Sequence, residues 1–418
     1  MRRYQTISLV VVVLFIFSAC ASKTQERDHS FPADQSQIKT PFDQLSFGMT
    51  RKTAFDDGKF IMVEGNECVQ REDGSESATI LSFVDMPNYV DSGTVILNGW
   101  DLRYLHSDHE VRALRAEITH SKLVTGGGGA PILVFEVEGR LSDQNADDSY
   151  EFCVHYTGIG YNSSFIDARI EGDYSGIDTW ALQTEAEGAV STLESVWDEG
   201  TLKGSDSIAV IPRGFDFQFD NAFECEFRFP PCRWEDPSDH HLRQVAYSLF
   251  QTGASPNPGG NAHWVTQTIF KDNSIRTHWI KTRAALIGGG SVKLHTDLLA
   301  LNPKSGKTNI CRNGEDGVVR TETVRIDELS YDYAVPMLTG WDLNYECSDQ
   351  HVQRAGIWLH DINFDPDFKS LEYKVSSILK DKDGAPSFNA THRVTVLGLN
   401  RLPPPVRRVA PNVEIKLR

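Results

Sequence analysis

An internal repeat constrains the fold of this chain more than any other feature of its sequence. A six-residue motif, Gly-aromatic-Asp-apolar-x-aromatic, occurs three times, and each copy is followed by a Ser-Asp segment that ends in an aliphatic residue. The second copy carries an insertion between these two parts. Because the motif and the Ser-Asp segment occur together three times, the sequence predicts three homologous units. The motifs begin with Gly99-Trp100-Asp101, Gly214-Phe215-Asp216 and Gly340-Trp341-Asp342, and the paired segments begin at Ser107, Ser238 and Ser348.

Alternation of side chains within the motif predicts a β-strand. Trp100, Leu102 and Tyr104 fall on one face of an extended chain, whereas Asp101 and Arg103 fall on the other. The other two copies alternate in the same way. We therefore expect the tryptophans to be buried core residues and the motif aspartates to have a structural role on the opposite face.

The segment after each Ser-Asp pair is ambiguous between helix and strand. Val111, Leu114 and Ile118 have helical spacing, but Gly356 and the bulky residues that follow it in the third copy suit a strand better. Gly- or Pro-rich loops and polar turns follow in each unit, as in β-hairpins. The predicted fold class is mostly β, with three tandem antiparallel β-sandwich-like units after a flexible tether. Closed barrels are the alternative.

The domain organisation follows from the repeat and from composition. Residues 21–41 are polar and cannot bury enough apolar surface to order themselves, so they are predicted to be a tether. The predicted segments are 1–19 (N-terminal segment), 20–41 (Cys20 and tether), 42–170 (unit 1), 171–295 (unit 2), 296–403 (unit 3) and 404–418 (tail).

Six cysteines follow Cys20, and an even number in an exported chain indicates disulfides. Cys225 and Cys232 flank a short, proline-stiffened loop in the insertion of unit 2, and they are the best predicted pair. A zinc site would require closer CxxC spacing, which the sequence lacks. Two further predicted bridges, each within its own unit, are Cys68 with Cys153 and Cys311 with Cys347.

Histidines near the Ser-Asp segments are the first candidates for a functional site. His240 and His241 are adjacent, so on a strand they point to opposite faces and do not share a ligand sphere. The aligned positions hold His109-Glu110 and Gln350-His351. Because no unit repeats the ligand set of another, the sequence favours polar residues at strand entrances over a metal site.

The remaining candidates also favour structure over catalysis. Asp101, Asp216 and Asp342 recur in every copy, whereas a catalytic acid is needed once in each active site. Asp381-Lys382-Asp383-Gly384 resembles the start of a calcium loop but lacks the later bidentate carboxylate. The sequence contains no nucleophile elbow, zinc-protease helix or phosphate loop. We therefore predict no catalytic residue, no metal and no cofactor.

Charge limits the class of partner. The formal net charge is −17, and an acidic body is repelled by nucleic acid and by anionic lipid surfaces. Nucleic acid is therefore excluded as a predicted partner.

The N-terminus carries an export signal. Arg2 and Arg3 precede an apolar run from Ile7 to Phe17, which is too short to span a bilayer. The run leads into Phe17-Ser18-Ala19-Cys20, which resembles the lipobox of bacterial lipoproteins. The resemblance covers the signal segment alone, and the family more often has Leu at the position of Phe17. It implies that Cys20 becomes lipidated and the new N-terminus.

The resemblance also implies a location. In Gram-negative lipoproteins an Asp after the lipidated Cys favours the inner membrane, and this chain has Ala21 and Ser22 instead. The predicted location is therefore the cell envelope, with the outer membrane favoured over the inner. The predicted function is a non-enzymatic, lipid-anchored protein that binds or scaffolds an envelope protein or a glycan. The alternative is an envelope hydrolase that acts on glycan or peptide, with its site in one unit or between units.

Overall fold

The computed structural model describes residues 46–72, 77–106, 109–143, 148–171, 177–183, 191–197, 202, 205, 207–219, 241–251, 262–271, 278–295, 300–301, 319–345, 351–381 and 388–403. No α-helix occurs in these ranges, so none of the described part of the chain forms a helix that could cross a membrane. The strands within these ranges are β1 (Ser46–Asp56), β2 (Phe60–Arg71), β3 (Ala78–Asp85), β4 (Ser92–Tyr104), β5 (Ala113–Thr125), β6 (Pro131–Ser142), β7 (Tyr150–Tyr161), β8 (Arg169–Glu171), β9 (Ile177–Gln183), β10 (Ser191–Trp197), β11 (Ile208–Phe219), β12 (Gln244–Gln251), β13 (Ala262–Lys271), β14 (His278–Gly288), β15 (Val292–His295), β16 (Ala300–Leu301), β17 (Arg320–Ile326), β18 (Tyr333–Tyr345), β19 (Arg354–Asp365), β20 (Ser370–Lys380) and β21 (Phe388–Leu399).

Sequence alternation explains most of these strands. In β13 every second side chain is buried along the whole strand, as expected where one face of a sheet lies on the core. The segments after the Ser-Asp pairs form β5, β12 and β19, which confirms the prediction of strands there. The three motif strands, β4, β11 and β18, are buried along almost their entire length. They are therefore the innermost strands of the fold.

The strands form three antiparallel sheets, which confirms the predicted mostly β fold class. The strand orders are β1-β2-β7-β4-β19-β20-β17 in the first sheet, β3-β6-β5-β11-β14-β8 in the second and β10-β13-β12-β18-β21-β15 in the third. β9 also pairs with β14, and β16 also pairs with β21.

Each sheet combines strands from two units, a feature that the sequence did not predict. The units are β1–β7, β8–β14 and β15–β21, and each gives its first, second, fourth and seventh strands to one sheet and its third, fifth and sixth strands to another. The units join at β5–β11, β12–β18 and β19–β4. Unit 1 therefore pairs with unit 2, unit 2 with unit 3, and unit 3 with unit 1, which closes a ring with pseudo-threefold symmetry. By this pairing unit 2 begins at Arg169 and unit 3 at Val292, a few residues before the predicted boundaries.

The ring axis passes through a cluster of motif aromatic residues. Trp100, Phe215 and Trp341 occupy the same position in the three units and contact one another edge to face. Their ring centroids are 5.4, 5.2 and 5.0 Å apart for the pairs Trp100–Phe215, Trp100–Trp341 and Phe215–Trp341. Both tryptophans lie in the core, where the alternation placed them. The three units thus share one core, built around residues that the repeat supplies three times.

The motif glycine occupies the point of closest approach between units. Gly99 and Gly214 have φ angles of +148° and +146°, which favour glycine. A Cβ atom on Gly99 would overlap the Cα of Trp358, and one on Gly214 would overlap the Cα of Glu117; both neighbours belong to the adjoining unit. A register shift precedes the glycine in each motif strand. The glycine is therefore required by the contact between units.

Each motif glycine lies between one residue of each neighbouring strand, and the types of these residues differ at the three junctions between units. Burial, together with the positive charge of nearby groups, lowers the pKa of His155 at one junction to about 3. At another, burial would raise the pKa of Glu117, but Arg115, Arg283 and Lys281 outweigh it and hold that pKa below its usual value. At the first junction His155 stacks on Trp358, with 5.0 Å between ring centroids. At the second, Arg283 Nε lies 3.3 Å from Glu117 Oε2. At the third, Arg393 and Ser248 lie opposite Gly340 on the two neighbouring strands, and the Arg393 guanidinium lies 3.7 Å from the ring centroid of Phe250.

The motif aspartates bind the neighbouring unit. Asp342 accepts two hydrogen bonds from the amide of Gln244, at 3.0 and 2.9 Å. Asp101 forms a bidentate ion pair with Arg354, and Asp216 Oδ2 lies 3.9 Å from Arg115 Nε. Burial raises the pKa of Asp216 to about 6. Each motif aspartate thus contacts a polar side chain of another unit. Asp101 is buried, whereas the alternation placed it on a polar face.

One predicted disulfide lies in the described residues. Cys68 and Cys153 face each other on β2 and β7, with their sulfur atoms 2.06 Å apart. Cys225, Cys232, Cys311 and Cys347 lie outside the described residues, as do Cys20, the tether and the tail.

Candidate functional site at the ring axis

The described ends of the three Ser-Asp segments and the residue after each, 109–112, 241–243 and 351–353, lie close together at one end of the ring axis. In sequence, each segment follows a motif strand and leads into the strand that pairs with the motif strand of another unit, namely β5 with β11, β12 with β18 and β19 with β4. The backbone N–H of the last aromatic residue of each motif donates to the carbonyl of the residue that directly follows a neighbouring unit's Ser-Asp segment. These bonds run from Tyr104 to Gln353 (2.9 Å), from Phe219 to Arg112 (3.0 Å) and from Tyr345 to Arg243 (2.9 Å). The same bond at all three junctions places the ends of the three segments around the axis.

An apolar layer closes the core beneath the segments. Val111, Leu242 and Val352 are the aliphatic residues that end the three segments, and each is fully buried. Val352 also exchanges two backbone hydrogen bonds with His109 of unit 1, at 3.1 and 2.8 Å. These bonds join the described ends of the unit 1 and unit 3 segments at the edge of the core.

The residues that directly precede the apolar layer in the sequence are polar, and their side chains lie close together. Glu110, His241 and His351 occupy the same repeat position, one in each unit. Glu110 Oε1 lies 3.0 Å from Nε2 of His241 and 3.8 Å from Nε2 of His351. The two imidazole centroids are 4.5 Å apart. One nitrogen or oxygen atom of each side chain lies within 4.8 Å of the other two. We call these residues the axial triad.

Sequence analysis did not predict the axial triad. It compared the units as separate bodies and found that no unit repeats the ligand set of another. The prediction that His240 and His241 do not share a ligand sphere is not tested, because His240 lies outside the described residues. The comparison did not consider that a ring brings one residue from each unit together. The three repeat copies, once aligned, place Glu110, His241 and His351 at one position, and this was the feature that could have indicated the triad.

The donor atoms of the axial triad suit a transition metal ion. Two imidazole nitrogens and one carboxylate oxygen bind zinc, iron, cobalt, nickel or copper, whereas magnesium and calcium prefer oxygen alone. Ligand atoms at 2.0–2.1 Å from an ion lie roughly 3 Å apart. The Glu110–His241 distance of 3.0 Å fits this value, whereas His351 Nε2 lies farther from the carboxylate oxygen, at 3.8 Å. Glu110 Oε1 lies within ion-pair distance of both imidazole nitrogens, and an ion bound between the three side chains would hold all three donor atoms.

A second His–carboxylate cluster supports the triad from unit 1. His109 Nδ1 lies 2.9 Å from Asp148 Oδ2 and 3.8 Å from Asp143 Oδ2, and its ring packs on Tyr104 with centroids 4.7 Å apart. Asp143 is buried and directly follows β6. These contacts hold the residue next to Glu110 against the end of β6. The cluster therefore orients the backbone that carries the carboxylate of the triad.

Several other predicted residues lie outside the description. These are Asp108, Asp239, His240, Asp349, Gln350 and Lys382-Asp383-Gly384. Within the described residues, only the axial triad and the His109 cluster place three potential metal ligands together.

Comparisons with known proteins do not assign this chain to a family: no protein-family model, curated protein or solved structure matches it.

Proposed function

We propose that this chain is a lipid-anchored protein of the bacterial cell envelope that binds one divalent transition metal ion at the axial triad. The observation that carries the proposal is the convergence of Glu110, His241 and His351 from three units on one point. The proposal therefore names a divalent metal ion as the ligand of the binding role that we expect for repeated β units. Because each unit supplies a single ligand, the site exists only in the closed ring.

The anchor and the tether set the position of the site in the cell. Lipidation at Cys20 would attach two or more acyl chains, and each buried methylene contributes about 0.8 kcal/mol to membrane retention. The polar tether of about 20 residues has a root-mean-square span of roughly 25 Å. This span holds the acidic body clear of the lipid headgroups, so the metal site remains accessible in the aqueous envelope.

Metal binding is tested by calorimetric titration of the full chain in detergent with Zn²⁺, after removal of metal with a chelator. We expect one ion per chain. The substitutions Glu110→Gln, His241→Ala and His351→Ala should each weaken binding by at least about 10–100-fold, because even outer-shell ligands have effects of that size. His263→Ala, which removes a partly exposed imidazole on β13, is the matched control and should leave affinity unchanged. Equal affinity in the wild type and all three triad variants would refute the site.

Anchoring is tested by metabolic labelling with a fatty-acid analogue. We expect label and membrane retention in the wild type and neither in Cys20→Ser. Label that persists in Cys20→Ser would show that the anchor is elsewhere.

A further inference from the structure

We propose that the turn between β19 and β20, residues 365–369, is a docking surface that inserts the side chain of Phe368 into an apolar pocket of another protein, with basic side chains around the rim of that pocket. We call residues 365–369 the Phe368 turn. The inference goes beyond the proposed function, because it assigns a protein partner to a part of the ring away from the axial triad.

The Phe368 turn lies at the end of the ring opposite to the axial triad. β19 begins at Arg354, three residues after His351 of the triad, and it ends at Asp365. The strand has 12 residues, which span roughly 35 Å of extended chain. The turn and the triad are therefore separate surfaces, and a change in one can be made without touching the other.

Phe368 is unusually exposed for an aromatic residue. Its exposed fraction is 74%, and no other large apolar residue in the described part of the chain exceeds 56%. A single exposed apolar residue is common on soluble proteins, so exposure by itself does not define a docking surface. The Phe368 turn differs from an ordinary surface loop because its backbone is fixed.

Polar residues hold the Phe368 turn in one conformation. Asp365 Oδ1 accepts hydrogen bonds from the backbone N–H groups of Asp367 (2.9 Å) and Phe368 (3.1 Å). Lys369 Nζ donates to the carbonyl of Tyr331, in the loop before β18, at 2.9 Å. None of these bonds uses the phenyl ring of Phe368. The turn therefore does not require an aromatic residue at its tip.

Backbone strain is concentrated beside Phe368. Lys369 has a φ angle of +49°, and Glu328 in the neighbouring loop has one of +61°. Both values lie in the left-handed region, which residues other than glycine rarely adopt. A hydrogen bond of 2.8 Å from the N–H of Leu329 to the carbonyl of Lys369 joins the two loops. Such strain is concentrated at functional sites, where the surrounding structure maintains it.

Charge around the turn determines the class of partner. Carboxylates flank Phe368 in the turn and in the neighbouring loop: Asp327, Glu328, Asp365 and Asp367. Asp327 forms an ion pair with Arg325 at 2.8 Å. A buried aromatic anchor is a typical hot spot of a protein interface, and the charges at the rim of an interface are complementary to those that face them. The pocket of the partner is therefore apolar inside and basic at its rim.

The same carboxylates disfavour two other occupants. A second copy of the chain, with its net charge of −17, would bring an acidic surface against the acidic turn. Anionic lipid headgroups would be repelled for the same reason. A protein pocket with a basic rim satisfies both the exposed ring and the carboxylates beside it.

Site-specific photocrosslinking tests the surface with the full chain in the cells that encode it. The photoreactive residue p-benzoylphenylalanine replaces Phe368 in one protein and Phe83, a 47% exposed phenylalanine on β3, in the control. We expect a crosslink to another protein from position 368 and not from position 83. Mass spectrometry identifies that protein, which is then purified and titrated with the full chain.

Binding of the purified partner measures the chemistry of the contact. Phe368→Ser should weaken binding by at least about 30-fold, as loss of a hot-spot side chain does, whereas Phe83→Ser should leave it unchanged. Asp367→Lys keeps the backbone N–H that the turn uses. It should slow association and reduce the dependence of the association rate on salt concentration. Phe368→Ser and Asp367→Lys should both keep the unfolding temperature and the metal affinity of the wild type.

Several outcomes would overturn the inference. These are crosslinks from position 368 only to lipid or to a second copy of the chain, equal crosslinking from positions 368 and 83, and no crosslink from either position. A purified partner that binds Phe368→Ser as tightly as the wild type would overturn it as well. None of these results bears on the metal site, and a chain that binds no metal would still present the Phe368 turn.

Discussion

Replacement of Gly99 by alanine tests the ring closure directly. Gly99 lies on β4 opposite Trp358 of β19, where unit 1 meets unit 3. Alanine at φ +148° is strained, which costs about 1–3 kcal/mol. Its Cβ also overlaps backbone of β19, and overpacking of this kind costs about 1–3 kcal/mol. Gly99→Ala should therefore lower the free energy of unfolding by about 2–6 kcal/mol.

Two other glycines provide a graded comparison. Gly340 occupies the same motif position without a positive φ, and its added Cβ would lie 2.7 Å from the Ser248 hydroxyl oxygen, which can rotate away. Gly340→Ala should cost less, about 1–2 kcal/mol. An added Cβ on Gly128 would meet no atom within 4 Å. Gly128→Ala should be neutral or stabilising by up to about 1 kcal/mol, because alanine restricts the unfolded chain.

Urea denaturation followed by tryptophan fluorescence measures all three variants under the same conditions. The expected order of destabilisation is Gly99→Ala, then Gly340→Ala, then Gly128→Ala. Hydrogen exchange should also accelerate in β4 and β19 of the first variant. A Gly99→Ala protein within about 0.5 kcal/mol of Gly128→Ala would refute the close contact between units 1 and 3.

Two further predictions concern aromatic side chains at the junctions between units. Trp341→Ala removes one member of the axial aromatic cluster and should cost about 3–5 kcal/mol in denaturant unfolding; an unchanged transition would mean that Trp341 is not a core residue. His155, with its pKa of about 3, stays neutral in the folded state, whereas the unfolded imidazole binds a proton below pH 6.5. Stability should therefore fall as the pH drops below 6.5, by about 3 kcal/mol at pH 4.5 from this group alone. His155→Phe should remove that part of the acid dependence, and identical pH profiles for the two proteins would contradict the neutral state of His155 in the folded protein.

Local strand structure could be predicted because it depends on alternation, which is visible in one segment at a time. Trp100, Leu102 and Tyr104 share a buried face, as their spacing requires. Burial of Asp101 could not be predicted in this way. It depends on Arg354, which lies in another unit and supplies the compensating charge.

Pairing between units could not be predicted from alternation, because a strand with a buried face does not specify its partner. The repeat indicated three equivalent units and did not distinguish separate bodies from a ring. The candidate site depends on that distinction. Glu110 belongs to unit 1, whereas His241 and His351 belong to units 2 and 3, which pair with unit 1 through β5–β11 and β4–β19.

Ring closure also determines the order in which the chain can fold. As the chain emerges from its N-terminus, β1, β2, β4 and β7 can pair as soon as unit 1 is complete. The second edge of β4 must then wait for β19, which begins at Arg354. During this interval β4 exposes unpaired backbone groups, a template to which a strand of another molecule can add. Pairing over such a long sequence separation is also slow.

A second molecule carries its own β19, with the same residues that complete the edge of β4. Exchange of this strand between two chains satisfies the same hydrogen bonds as closure within one chain. Intramolecular closure and intermolecular exchange therefore compete, and their balance depends on concentration. Correct folding of this protein is favoured where the chains are dilute or kept apart until unit 3 is complete.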